Sequence, residues 1–240
     1  MSIKRHIPNT ITSLNLLSGA LGVIFAIEGR LDVAFPLMLA GAFFDFFDGM
    51  AARLLDVKGE MGKELDSLAD MVSFGLLPSV MMYETMRLAG CTCVLAYFCL
   101  ILAVLSGIRL AKFNVDTRQE SDFIGVATPT AAIFCASLCY FIAVSPASEI
   151  NGWIASSWFL PALALVMGLL LLSEIPMFSM KVAKGHKLFD AKRIAFLSLS
   201  LVAGIIVIVF HLNWSLFVLL TFTIYLLVNL FVALLSLFRK

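Results

Sequence analysis

The stretch DFFDGMAARLLDVKGEMGKELDSLAD, Asp45 to Asp70, gathers four aspartates in a chain that is 61% hydrophobic and only 14% charged. Asp45 and Asp48 are spaced i, i+3, and Asp66 and Asp70 are spaced i, i+4. On helices each pair shares one face. Lys58, Gly59, Glu60 and Gly62 form a short polar link between two apolar runs. The runs are therefore expected to be antiparallel neighbours, with both aspartate pairs at one depth, facing each other. An aspartate at the centre of a spanning helix costs roughly 2.5–3.5 kcal/mol on insertion scales, and four together repel. Divalent cations relieve both problems. Carboxylate oxygens suit magnesium, manganese or calcium rather than zinc. Two pairs at helical spacing can hold two ions, the clamp used for phosphoryl transfer.

Gly49 and Ala52 share a side with the first pair and leave room for a ligand to approach the backbone, and Arg53 can grip a phosphate with a fork of donors. Together these residues read as a diphosphate site at the membrane surface. For any one of them a bland role is adequate: Gly and Ala at helical spacing usually mean close helix packing. Asp56, Glu60 and Glu64 are read as solvated loop charges. The set, in one short segment, is what favours a site.

Outward from this segment the chain is apolar almost throughout. Its 240 residues have a mean hydropathy of +1.01, too much apolar surface for a soluble domain of this size. A membrane-crossing helix needs roughly 20 apolar residues. About eight such runs are expected: Asn9–Ile27, Val33–Leu55, Leu65–Leu88, Thr92–Phe113, Thr128–Val144, Trp158–Met180, Ile194–His211 and Trp214–Phe238. The first continues too far for a signal-peptide core. Pro129 suits a first helical turn, and Pro78 predicts a kink in the third run. The fold class is thus all-α, a polytopic membrane helix bundle.

With eight spans both termini share a side. Fifteen of the 17 Lys and Arg residues fall on that side, leaving Arg30 and Arg87 on the other. The positive-inside rule then puts the termini and the aspartate segment in the cytoplasm, and Lys4, Arg5 and His6 can lie on anionic headgroups. A net charge of +1 says nothing about nucleic acid, and no nucleic-acid partner is expected of a polytopic membrane protein. Five cysteines, mostly inside apolar runs, read as small hydrophobes. Cys91 and Cys93 form a C-x-C at a helix end, a poor metal site by itself. Arg109 and Lys112 can bind an acceptor carboxylate at the cytoplasmic end of the fourth run. Arg109, flanked by Ile108 and Leu110, lies deeper; Lys112 fits positive-inside anchoring at least as well. Ser73, about one turn after Asp70, is a candidate for the acceptor pocket, and Asn9 and Thr12 for contact with nucleotide or lipid. Glu84 and Glu174 are read as further intramembrane acids without a role.

Asp45, Asp48, Gly49, Ala52, Arg53, Gly62, Asp66 and Asp70 also match, gap for gap, the signature D-x2-D-G-x2-A-R-x8-G-x3-D-x3-D. In this the chain resembles the CDP-alcohol phosphotransferase family. The resemblance implies a membrane enzyme with a six-helix core, usually homodimeric, that displaces CMP using two divalent ions. It implies that the four aspartates hold the metals. It assigns Asp48, Gly49, Ala52, Arg53, Gly62 and Asp66 to the nucleotide pocket, and Asp70 to the role of base. PNTITSLNLLSG (Pro8–Gly19), SLADMVSFGLLPS (Ser67–Ser79), RLAKFN (Arg109–Asn114) and LLLLSEIPMFSMK (Leu169–Lys181) look like the serine branch. FIGVATPTAA (Phe123–Ala132) is similar to that branch's F-x-G-x-P-x-P-A-A and departs from it at Ala127 and Thr130.

The function expected from this branch is transfer of the phosphatidyl group of CDP-diacylglycerol to L-serine, with Mg2+ or Mn2+ as cofactor. The expected setting is the inner membrane of a prokaryote. One domain is expected over 1–240, with its core at about 8–180 and two additional helices at about 190–238. Glycerol 3-phosphate or inositol phosphate as acceptor is the near alternative. An ion-coupled transporter is the distant one, and it would spread its acids through the membrane depth.

Overall fold

The computed structural model describes residues 6–57, 59–91, 93–115, 123–145, 149–156, 158–177 and 191–237. The first two apolar runs are α1 (His6–Ile27) and α2 (Leu31–Leu54). The third starts as α3 (Glu60–Asp70), passes through a π-helical turn at Met71–Leu76 and continues as α4 (Leu77–Leu88). A 3-10 segment, Val94–Leu100, leads into α5 (Ile101–Val115). Then come α6 (Thr128–Val144), the short α7 (Glu149–Ser156), α8 (Phe159–Leu172), α9 (Ala191–Val209) and α10 (Trp214–Leu237). Five of these spans are long and apolar enough to cross a membrane: His6–Ile27, Leu31–Leu54, Glu60–Leu88, Val94–Val115 and Trp214–Val232. Thr128–Val144, Phe159–Leu172 and Ile194–Val209 are shorter apolar helices. Each of the eight expected runs contains a helix, and the molecule is a polytopic membrane bundle.

α1 shows why the bundle suits lipid. Its inward stripe is small and polar: Thr12, Asn15, Ser18, Gly19, Gly22 and Ala26 are buried. Its bulky residues Ile7, Leu14, Leu17, Leu21 and Ile24 point outward. Water would reverse that arrangement. In a bilayer, close approach of small residues drives helix association. α1 packs along α2 and crosses α3, the π-helical turn and α4. A Cβ on Gly19 would lie 2.2 Å from Ser73 Oγ and 2.8 Å from its backbone Cα. Gly19→Ala is expected to destabilise the fold by about 1–3 kcal/mol, the usual cost of overpacking. Thermal unfolding in detergent measures it, and an unchanged midpoint would refute the packing role.

Two expectations change in detail. Pro78 sits in the first turn of α4, and the irregularity precedes it as the π-helical turn. Such turns recur at functional sites, and this one begins directly after Asp70. The sixth run was expected to reach Met180, but its helix stops at Leu172. Pro176 and Met177 instead pair antiparallel with Ile124 and Phe123. Gly125 makes this junction possible. Its φ is +77°, and a Cβ there would lie 2.7 Å from the carbonyl oxygens of Leu171 and Ser173, so only glycine fits. Its N–H donates to Ile175 O at 2.9 Å. Glu174 is exposed just beyond α8 rather than inside a span. Glu84 is buried and paired with Arg87 at 2.5 Å. Pro129 lies in the first turn of α6, as expected. The C-terminal pair docks through α10 on α6, where the Trp214 ring lies 5.7 Å from Phe35 and 5.2 Å from Tyr140.

Candidate active site

The α2–α3 hairpin forms as its sequence requires. α2 ends at Leu54, Asp56 takes a left-handed turn at φ 50°, and Gly59 caps α3 in an extended conformation. This brings Asp45 and Asp48 of α2 against Asp66 of α3. One carboxylate oxygen from each lies within 4.8 Å of the other two. Asp48 is only 6% exposed. Asp48 Oδ2 and Asp66 Oδ1 are buried and have no hydrogen-bond partner among the described residues. Buried carboxylate oxygens without donors are costly. Together with the all-oxygen ligand set, they fit a hard divalent cation.

Asp70 stands apart from these three. One turn further along, its Oδ1 accepts a hydrogen bond from Asn15 Nδ2 at 3.3 Å. Asn15 is fully buried, and its backbone carbonyl accepts from Ser73 Oγ at 3.0 Å. Ser73 is thereby engaged in the α1 crossing, with no exposed surface of its own. Sequence reading gave Asn15 no role at the site. The available signal was a side-chain amide inside an apolar run, where polar groups need a partner.

A cavity of about 600 Å³ opens beside the carboxylates. Asn9, Thr12, Asp48, Gly49, Ala52, Gly62 and Asp66, all expected at a nucleotide site, line it. Gly49 has open space where a Cβ would stand. At Gly62 a Cβ would come within 3.3 Å of Asn9 Oδ1. Arg53 lies outside this lining, exposed, with its Nε donating to Gly49 O at 2.8 Å. Lys63 does line the cavity, a residue that sequence reading counted only as charge. Its Nζ donates to Asn114 O at 2.8 Å, and Asn114 Nδ2 donates to Ser67 Oγ at 2.8 Å. These bonds fasten α3 to the end of α5. The i, i+3 spacing of Lys63 and Asp66 could have revealed this placement.

α5 brings Arg109 to the same end of the bundle. Arg109 is 9% exposed, within electrostatic reach of Asp70, and its guanidinium lies 5.3 Å from the Phe113 ring centroid. Lys112 is exposed, in keeping with an anchoring role. Ser106, one turn before Arg109, is buried with no hydrogen-bond partner for its hydroxyl among the described residues and was not singled out from sequence.

The helices long and apolar enough to cross a membrane, with a carboxylate cluster and a cavity side by side, mark the chain as an integral membrane protein with a polar site among its helices. The chain belongs to the CDP-alcohol phosphatidyltransferase family, whose sequence model matches residues 5–170. It is similar to the CDP-diacylglycerol–serine O-phosphatidyltransferase of Mycobacterium leprae, with 32% identity over 219 residues, 87% of this chain and 69% of that protein. The enzyme of the same name from Bacillus subtilis is 37% identical over 132 residues, 53% of this chain and 72% of that protein. An archaetidylserine synthase of Methanothermobacter thermautotrophicus is 36% identical over 138 residues, covering 55% and 56%.

Proposed function

We propose that this chain transfers the phosphatidyl group of CDP-diacylglycerol to the hydroxyl of L-serine, giving phosphatidylserine and CMP. The observation that carries the reading is the cavity walled by Gly49, Ala52, Gly62, Asp48 and Asp66, with Asp70 one helical turn after Asp66 and within electrostatic reach of Arg109. The names of the relatives support the same acceptor.

The acyl chains stay in the bilayer while the diphosphate enters at the carboxylate cluster. Asn9, Thr12 and the small residues of α2 and α3 shape the nucleotide side, and Arg53, one helical turn after Gly49, is the candidate hydrogen-bond donor to phosphate. Two divalent ions, Mg2+ or Mn2+, held by Asp45, Asp48, Asp66 and Asp70, would neutralise diphosphate charge. Arg109 holds the serine carboxylate, and Lys112 is the further candidate on that side. Asp70 accepts the serine hydroxyl proton. The serine oxygen bonds to the phosphorus attached to diacylglycerol, and the bond from that phosphorus to CMP breaks. Asn15 keeps the Asp70 carboxylate aimed.

The charge bias supports a cytoplasmic site with cytoplasmic termini, and the bacterial source of the similar enzymes supports a prokaryotic inner membrane. A homodimer and a single domain, with α9 and α10 appended to its core, complete the proposal.

The test is CMP release by purified protein with serine, glycerol 3-phosphate or inositol phosphate offered side by side. Serine is expected to support turnover. Release with glycerol 3-phosphate or inositol phosphate alone would replace serine as acceptor. Release with none of the three would refute the reading.

Arg109→Ala is expected to raise the KM for serine more than that for the CDP-lipid. A lost charge-assisted bond costs about 1.5–3 kcal/mol, or roughly one to two decades in kcat/KM. Unchanged serine kinetics with weakened lipid binding would move Arg109 to the donor side.

A further inference from the structure

The loop between α4 and the 3-10 segment carries a chemistry that the transfer reaction does not use. Cys91 and Cys93 are free thiols, one half-buried and one exposed. Their sulfurs lie 2.8 Å apart, between the covalent S–S length of about 2.05 Å and ordinary non-bonded contact. Gly90 precedes them with φ +85° and open space around it, so the backbone turns sharply just before the pair. The other three cysteines, Cys99, Cys135 and Cys139, are buried in the bundle. An aqueous reagent therefore meets Cys91 and Cys93 first.

We propose that Cys91 and Cys93 form a reversible dithiol–disulfide site at the end of the bundle away from the aspartates. The location follows from helix length. Helical rise carries the chain about 27 Å from Asp70 to Leu88, close to the hydrocarbon thickness of about 30 Å. Resting on the proposed orientation, with the carboxylate cluster at the cytoplasmic edge, this leaves the thiols at the opposite surface, where disulfides form and persist. A metal is a poorer occupant. Among the described residues, the group of three or more candidate ligands is the aspartate cluster, and neither cysteine belongs to it.

The chemistry is thiol–disulfide exchange with a small disulfide oxidant. The hydrogen bond from Cys91 holds the Cys93 thiol below its ordinary pKa, which favours Cys93 as the attacking thiolate. Cys93 sulfur bonds to one sulfur of the oxidant, and the oxidant's S–S bond breaks. The released half leaves as a thiolate and takes up the proton lost by Cys93. Cys91, deprotonated in turn, attacks Cys93 sulfur and expels the second half as thiol. The protein loses two electrons and two protons, and the oxidant becomes two thiols. The product tethers the end of α4 to the start of the 3-10 segment. Its exposure makes it easy to reduce again.

The experiment treats the full-length protein in detergent with oxidised glutathione, blocks remaining thiols with N-ethylmaleimide and weighs the peptide containing both cysteines. The expected product is unlabelled and two hydrogens lighter than the dithiol, and dithiothreitol restores both labels. Cys91→Ser and Cys93→Ser should each abolish it while retaining CMP release, which shows that the fold survives. A doubly labelled peptide under oxidant, a cross-link between two chains, or a glutathione adduct persisting on wild-type Cys93 would each overturn the proposal. In intact cells, after reduction, a membrane-impermeant maleimide should reach the pair from outside. Labelling only after lysis would put the thiols in the reducing compartment and overturn it as well.

Discussion

Asp70→Asn should still bind CDP-diacylglycerol yet lose turnover by about two to four decades, the range for removal of a general base. The geometry motivates the separation of binding from chemistry. Asp45, Asp48 and Asp66 each bring one carboxylate oxygen within 4.8 Å of the other two, whereas Asp70 leans on Asn15, within electrostatic reach of Arg109. The proposed base is thus placed toward the proposed acceptor side, with its direction fixed by a buried amide. The asparagine variant keeps the shape and the bond geometry but cannot take a proton at that oxygen. Asp48→Asn is expected to lose donor binding too, because Asp48 lines the cavity. Donor affinity and kcat measured for both variants in one detergent decide the matter. If Asp70→Asn turned over at a near-normal rate, the proton would leave by another route and the base assignment would fail.

Removing divalent metal should abolish activity, and manganese or magnesium should restore it. Asp48 Oδ2 and Asp66 Oδ1 are buried without a donor among the described residues. Two such oxygens beside a third carboxylate are poorly tolerated without positive charge. Asp45→Asn and Asp66→Asn should raise the metal concentration needed for half-maximal activity by at least about tenfold to a hundredfold, the range known for loss of mere outer-shell partners of a metal. Titrating metal back into chelated protein reads this directly. Full activity after exhaustive chelation would remove the cations from the reaction.

The family and the bundle were both legible in the sequence. Helical periodicity is a local property, so the i, i+3 and i, i+4 aspartates and the short link between two apolar runs dictated an antiparallel hairpin with acids on facing sides. Hydropathy likewise marked eight runs, and each of them contains a helix. The cavity lining followed from the same segment, because Asp48, Gly49, Ala52, Gly62 and Asp66 lie on adjacent turns of two neighbouring helices.

What spacing could not decide was how one helix meets another. The crossing of α1 over the π-helical turn engaged Ser73 with the Asn15 carbonyl. The same crossing gave Asp70 a different partner from its three companions. Lys63 reached the end of α5 only because α3 and α5 converge there. The end of α8 at Leu172 was set by pairing with Phe123–Ile124, far away in the chain, and by a glycine that no side chain could replace. Residue order determined the membrane bundle and the set of acids in it. Tertiary packing decided the partner of each acid, because hydrogen bonds and close contacts between helices depend on crossing points that no single helix encodes.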